Sequence, residues 1–227
     1  MRNRVGVAPQ SLSLYEELTA TENLRFFGSL YGLGKKRLKD RIQATLEIAG
    51  LEDRCNDKVS TYSGGMKRRL NIAAALIHQP EIVLLDEPTV GVDPQSRNHI
   101  FERIDEMKKS GMTILYTTHY MEEAQRLCDR VAIMDKGKIL AIDTVDDLLA
   151  KHGGRSVVSA ALHPQSSRSG LPAELIGDSI RFESDDPIEE VSRLTQSGVK
   201  FQSLQIANSD LESVFLKLTG RQLRDGE

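Results

Sequence analysis

Residues 61–94 read TYSGGMKRRLNIAAALIHQPEIVLLDEPTVGVDP, and this stretch restricts the possible folds of the chain more than any other. A Ser-Gly-Gly turn opens a basic amphipathic helix, which Pro80 stops. The next segment, IVLLD (82–86), is apolar until its last residue and runs straight into Glu87. A short apolar run bounded by turn signals predicts a strand buried in a sheet. Two carboxylates at the end of such a strand are costly to bury unless something uses them. In phosphoryl-transfer sites an Asp at a strand end holds Mg²⁺, and an adjacent carboxylate can orient or deprotonate the attacking water. The other reading of the same residues is an exposed Asp-Glu pair beginning a loop.

On either side of this stretch the pattern is regular. VGVAPQ (5–10) reads as the end of a strand entering a loop. Thr21 can cap the helix ENLRFFGSLYGL, with Glu22 in its first turn. LKDRIQATLEIAGL places Ile42, Leu46 and Ala49 at helical spacing and closes at Gly50. Ser63 can cap the helix that follows it. After IVLLD come a helix with Pro94 near its start and Gly111 past its end, the apolar strand MTILYTTH (112–119) and the short helix YMEEAQRLCD. RVAIMDKGKILAID reads as two strands about a Lys136-Gly137 hairpin turn, and VDDLLAKHG as a helix. Apolar strands alternating with helices predict an α/β fold whose mostly parallel sheet is buried on both faces. Composition shifts near Gly153-Gly154, where a Ser-rich stretch (155–173) precedes SIRFES, PIEEVSRLTQSG, VKFQSLQIA and DLESVFLKLTG. These predict a small C-terminal α+β appendage without an acid pair, His cluster or Gly-rich loop.

Hydrophobic residues are 39% and charged residues 28% of the 227, as in a soluble globular protein. The net charge of −3 gives no support to nucleic-acid binding. The longest apolar runs fall well short of the roughly 20 residues that a spanning helix needs. The first ten residues lack a signal-peptide core, and Cys55 and Cys128 are expected to be reduced. A cytoplasmic protein that meets a membrane only through a partner is the expectation.

The other candidate residues each admit a plain reading. Ser63, Gly64 and Gly65 at a helix start can present backbone N–H groups to an anion, or form an ordinary N-cap. Lys67, Arg68 and Arg69 can serve that anion or form a solvated face. His119, ending its strand, can donate to a γ-phosphate or be an isolated histidine. Gln10 can ligate Mg²⁺ or place a water, and Asp93 can cap the helix that begins at Pro94. A phosphate loop, G-x-x-x-x-G-K-[ST], does not occur in the 227 residues. GSLYGLGKK (28–36) comes nearest, with Ser29 in place of the first Gly and Lys36 in place of Ser or Thr.

The order Gln10, SGG, LLDEP, GVDP and TTH, at short spacings, resembles the nucleotide-binding subunit of ATP-binding-cassette (ABC) transporters over residues 1–150. YSGGMKRRL is similar to the family signature, IVLLDEP to the Walker B strand, and APQ, VGVDP and TTH to the glutamine, aspartate and histidine loops. TVGVDPQSR and the ending DLESVFLKLTGRQLRD resemble bacterial drug-exporter cassettes of the daunorubicin-resistance type. The resemblance implies a P-loop NTPase domain over residues 1–152, with a helical subdomain at about 11–80 docking on a transmembrane permease, and an accessory region at 153–227. It implies ATP and Mg²⁺ as cofactors, with Asp86 and Gln10 toward the metal, Glu87 as general base, Gln10 also sensing the permease and His119 on the γ-phosphate. Ser63, Gly64 and Gly65 would bind ATP held by a second nucleotide-binding subunit, and Asp93 would sit at the dimer loop. Family members carry an adenine-stacking loop and a Walker A loop ahead of the glutamine loop, so the expectation is a sequence lacking that N-terminal part. ATP-driven export through the permease is the implied function. The rival is a subunit without catalysis that only donates its signature face.

Overall fold

Strand alternation builds the first half of the molecule. The structure, a computed structural model, describes residues 2–172 and 175–220. Met1 and residues 221–227, which include the RQLRD of the exporter-like ending, lie outside the described residues. Strand β1 (Val5–Ala8) turns Gly6 and Ala8 inward and Val7 outward. Gly6 is required there, because a Cβ on it would fall 2.2 Å from the Ala75 carbonyl oxygen.

Helix α1 (Ala20–Leu30) starts at Thr19 and not, as the sequence suggested, at Thr21. Thr19 Oγ1 accepts from the Glu22 N–H at 3.1 Å, and Glu22 Oε2 accepts from the Thr19 N–H at 2.8 Å. A reciprocal cap needs its acid three residues on, and Glu22 stands three after Thr19. Thr21 lies in the first turn and donates to the Cys55 carbonyl at 3.0 Å. Helix α2 (Lys35–Ala49) ends at Gly50 in the left-handed region, φ 57°. GSLYGLGKK therefore joins two helices, whereas a phosphate loop joins a strand to a helix.

Helix α3 (Gly64–Leu76), capped by Ser63, is apolar on two sides. Leu70, Ala73 and the following Ile77 pack with Leu24 and Leu46 of the helical layer. Ile72, Ala75 and Leu76 pack under the sheet with Val83, Leu85, Ile100 and Ile104. Strand β2 (Ile82–Asp86), helix α4 (Pro94–Lys109), strand β3 (Thr113–Thr117) and helix α5 (Met121–Leu127) complete this unit. The sheet order is β1-β2-β3, all parallel, with Ala8 beside Leu85, Leu85 beside Tyr116 and Asp86 beside Thr117. The expectation of burial on both faces fails among the described residues. Val83 and Leu85 are fully buried, but Val7 is 53% and Leu115 57% exposed on the opposite face.

The chain divides after Cys128 into two compact units, 1–128 and 129–227, ahead of the composition shift at Gly153. The boundary falls there because strands β4 (Val131–Asp135) and β5 (Lys138–Asp143) pair with each other as an antiparallel hairpin, separate from the parallel sheet. Helix α6 (Val145–His152) follows, and then strands β6 (Ser156–Leu162) and β7 (Ser179–Ser184), helix α7 (Pro187–Gln196), strand β8 (Phe201–Ala207) and helix α8 (Leu211–Thr219). The Ser-rich stretch hides β6, the central strand of the antiparallel order β7-β6-β8. Its inward face is carried by Val158, Ala160 and Leu162, which are buried, while the half-buried Val157, Ser159 and Ala161 alternate with them and blur the period-2 contrast.

The two faces of the parallel sheet should respond differently to truncation. Leu85→Ala is expected to cost about 2–5 kcal/mol in denaturant unfolding, and Leu115→Ala less than about 1 kcal/mol. Equal losses would show that the Leu115 face is buried.

Candidate functional site

The parallel register brings three distant residues to one point. Gln10 lies two residues beyond β1, Glu87 one beyond β2 and His119 two beyond β3. Gln10 Nε2 donates to Glu87 Oε2 at 2.7 Å, and His119 Nδ1 lies 3.2 Å from Glu87 Oε1. With a proton on Nδ1, His119 donates to Glu87, so the carboxylate is gripped on both oxygens. Side-chain exposure is 25% for Glu87 and 29% for His119, so the group is shielded yet open to solvent. Asp86 Oδ1 accepts from Thr117 Oγ1 at 2.5 Å across the β2–β3 pair.

Glu87 itself sits at φ 45°, in the left-handed region. A long side chain there costs of order 1–3 kcal/mol. The strain is held by the Glu87 N–H, which donates to the Thr117 carbonyl at 3.2 Å and to Thr117 Oγ1 at 3.1 Å. A left-handed residue at the strand end turns the chain away from the sheet and leaves its carboxylate at the sheet's edge, between Gln10 and His119.

Lys67, Arg68 and Arg69 are not a solvated face. Lys67 pairs with Glu16 at 2.6 Å, and Arg69 donates to the Gly50 carbonyl at 3.1 Å at the end of α2. Arg68 is buried and donates to the Gln10 carbonyl at 2.7 Å and the Pro9 carbonyl at 3.3 Å. Burial lowers its pKa, while Glu87 and Asp86 pull it back up. One helical turn on, buried Asn71 donates to the Pro9 carbonyl and accepts from the Ser13 N–H, each at 3.2 Å. Two side chains of α3 thus clamp the segment that carries Gln10. The sequence signal was their i,i+3 spacing on one face of the helix, but the partners lie 58 to 62 positions away.

Ser63 caps α3, its Oγ accepting from the Met66 N–H at 3.2 Å. Gly65 is fixed by packing, since a Cβ on it would fall 2.3 Å from Ser96 Oγ and 3.3 Å from Asp93 Oδ2. Gly64 is not so fixed, as the nearest atom to its virtual Cβ is the Gly91 carbonyl oxygen at 3.8 Å. Asp93 caps α4, accepting from the Ser96 N–H at 2.9 Å, and that bond holds its carboxyl below the usual aspartate range. The signature turn therefore rests on the Asp93 loop. Among the described residues no hydrogen bond joins it to Asp86, Glu87 or His119.

The sequence reading missed Glu123, which is 1% exposed at the start of α5. It accepts from Thr89 Oγ1 at 2.7 Å, Tyr116 OH at 2.7 Å and Thr118 Oγ1 at 2.8 Å. Arg97 Nε lies 2.9 Å from Glu123 Oε1, an ion pair too bent to be a hydrogen bond. Burial, and then the bond to Glu123, push the Tyr116 phenol upward. An acid inside MEEAQ gives no sign in sequence of pointing inward.

Among the described residues no group of three His, Cys, Asp or Glu side chains converges as a metal site. Mg²⁺ does not need one, since it is commonly held by one or two carboxylates, phosphate oxygens and water. An exposed Asp86 carboxylate at a strand end, one residue from a Glu87 bonded to the Gln10 amide, is a hard-oxygen set that fits this ion.

A parallel sheet with carboxylate, amide and imidazole at its carboxyl edge, beside a helix opened by Ser-Gly-Gly, is the arrangement of an α/β nucleotide-binding domain. Residues 1–90 match the ABC transporter family model. The linearmycin resistance ATP-binding protein LnrL of Bacillus subtilis is 42% identical over 99% of this chain and 77% of its own length. The Nod factor export ATP-binding protein I of Cupriavidus pinatubonensis is 41% identical over 99% of this chain and 70% of its own. A solved ATP-binding subunit of an ABC transporter superposes with a TM-score of 0.58 and 34% identity, over 66% of this chain and 62% of that one. The chain belongs to the ABC transporter family, among its ATP-binding subunits, and has the ABC ATPase fold. It spans less than two thirds of the solved subunit.

Strain at Glu87 is testable apart from any activity. Glu87→Gly is expected to raise the melting temperature by a few degrees, by relieving the left-handed strain and the repulsion from Asp86. A drop of that size would show that the grip of Gln10 and His119 outweighs the strain.

Proposed function

We propose that this chain is the ATP-hydrolysing motor subunit of an exporter, driving substrate through a transmembrane permease. The observation that carries the reading is Glu87 held between Gln10 and His119, at 2.7 Å and 3.2 Å, beside Asp86 at the carboxyl edge of a parallel sheet. Glu87 is the general base. Gln10 and His119 hold its carboxylate so that one oxygen can take the proton of the attacking water. Asp86 and the Gln10 amide face the metal, and Mg²⁺ supplies charge neutralisation at the β- and γ-phosphates. His119 reaches the γ-phosphate through its second nitrogen.

Ser63, Gly64 and Gly65 bind ATP held by a second copy. Two facts support this: among the described residues the turn makes no hydrogen bond to Glu87, and none of them requires a glycine at 64. The N-terminus of α3 adds the positive end of its dipole. Asp93, resting under Gly65, lies at the same dimer surface. The permease docks on the exposed aromatic patch that follows Gln10, where Tyr15 and Phe26 meet edge to face at 4.9 Å with Leu12 and Leu30 also exposed. Arg68 and Asn71 link that segment to the signature helix. Among the described residues no helix is long and apolar enough to cross a membrane, and we place the subunit peripherally on the cytoplasmic face of the plasma membrane. Export is supported by the names of the relatives, one a resistance protein and one an export protein.

The absence of a phosphate loop from the 227 residues favours a second reading, a subunit that only donates its signature turn. Two measurements separate the readings. In the subunit assembled with its permease, Glu87→Gln is expected to slow hydrolysis about 10²–10⁴-fold while ATP binding persists. Turnover near wild type would remove Glu87 from the role. The 227-residue chain alone is expected to show weak MgATP binding by calorimetry and no steady phosphate release, because a phosphate loop's N–H groups and lysine supply most of the positive field around a triphosphate. Micromolar binding with steady release would reveal a substitute phosphate site.

A further inference from the structure

A carboxylate that is fully buried and ringed by donors has been placed there at a cost, since an uncompensated polar group in an apolar interior is destabilising. Glu123 has such a ring, and its partners come from four different segments. Thr118 precedes His119, Thr89 lies two residues past Glu87, Tyr116 belongs to β3 and Arg97 to α4. Thr118 Oγ1 also accepts from the Tyr120 N–H at 2.9 Å, so the turn is fastened on both sides of His119. Thr89 sits in the tight turn closed by the Val90 N–H on the Glu87 carbonyl at 3.3 Å. The Arg97 guanidinium lies over the Tyr120 ring at 5.1 Å and over Phe101 at 5.5 Å, which ties the same turn to the helix capped by Asp93.

We propose that Glu123 is the positioning residue that holds the His119 turn and the Pro88–Asp93 loop in register around Glu87. Hydrolysis then depends on a buried carboxylate that touches none of the reacting groups. The inference rests on the ATP-hydrolysis reading above. The chemistry requires a charged acceptor without protons, because the Thr89, Tyr116 and Thr118 hydroxyls all donate to Glu123 and the Arg97 guanidinium pairs with its charge. Glutamine keeps the shape but turns an N–H₂ toward at least one donor and leaves Arg97 without its counter-charge. The two loops would then lose their common anchor, while the apolar cores on either side stay intact. A displacement of about 1 Å at a reacting group is enough to cost up to about a hundredfold in rate.

The test uses the subunit in membranes with its permease, in wild-type form and as Glu123→Gln, Thr118→Val, Thr118→Ser and the Glu123→Gln/Thr118→Val double variant. Glu123→Gln and Thr118→Val are each expected to lower kcat at least about tenfold with KM for MgATP within about twofold. Thr118→Ser, which restores the hydroxyl, is expected to recover activity to within about threefold of wild type. The double variant is expected to be no slower than the slower single variant, because both break one linkage. In parallel, ring-nitrogen NMR signals of His119 in the 227-residue chain should move in both single variants and stay put in a distant control, Arg4→Ala. Multiplying effects, an unchanged kcat, or losses that only follow the folded fraction would overturn the proposal. If Glu123→Gln does not fold, Thr118→Val and its serine partner decide it alone. A wild-type complex that fails to hydrolyse ATP would sink the motor reading itself, and the His119 signals would then decide whether Glu123 positions that turn.

Discussion

The parallel register of β1, β2 and β3 is the constraint on which the site depends. Gln10, Glu87 and His119 are separated by 77 and 32 positions along the chain, yet they meet within hydrogen-bond reach. They meet because each follows the carboxyl end of its strand within two residues, and those ends are level. Level ends follow from the pairing of Ala8 with Leu85 and of Leu85 with Tyr116, which point to the face packed on α3 and α4. A slip of one residue would turn that apolar set outward and carry Glu87 to the other side of the sheet. Burial of a few aliphatic side chains thus fixes the position of an acid that is itself partly exposed.

Strain and charge are added on top of that frame. Glu87 occupies a left-handed conformation that a glycine would adopt freely, and hydrogen bonds to Thr117 hold it there. Neighbouring acids at 86 and 87 repel each other, and both interact electrostatically with buried Arg68. Arg68 is not placed for charge alone, because its N–H groups go to the carbonyls of Pro9 and Gln10. One side chain therefore offsets the acid pair electrostatically and holds the Gln10 segment mechanically.

Helix α3 joins these parts. Its first turn carries Ser63, Gly64 and Gly65, its second and third grip the Gln10 segment through Arg68 and Asn71, and its body fills both the helical core and the sheet core. A rigid element buried on two sides moves as a unit, since close-packed interiors transmit displacement rather than absorb it. In the motor reading, a push on the exposed Tyr15–Phe26 patch would reach the signature turn through this helix. The Asp93 loop, with Gly65 against Ser96, receives the same motion from below.

Sequence alone carried the class of fold and named the residues that meet in the candidate site. The apolar run before Asp86-Glu87, the glycine pair after Ser63 and the order of Gln10, Asp93 and His119 are local signals, legible because strand ends, caps and turns are written in adjacent residues. Where those local signals competed, the reading erred, as when two threonines stood near the start of α1 and only the reciprocal bond with Glu22 chose Thr19. β6 was lost inside a Ser-rich stretch because Val157 and Ala161 on its outer face are apolar like the buried Val158, Ala160 and Leu162, which leaves little period-2 contrast. What only the tertiary structure decided is everything that depends on partners distant in the chain. The inward course of Arg68, the openness of the Leu115 face and the burial of Glu123 are of this kind. A lone charge in a helix reads the same in sequence whether it faces water or three hydroxyl donors and a guanidinium. Its environment is set by which strands pair and which helices cover them, and that is a property of the folded chain.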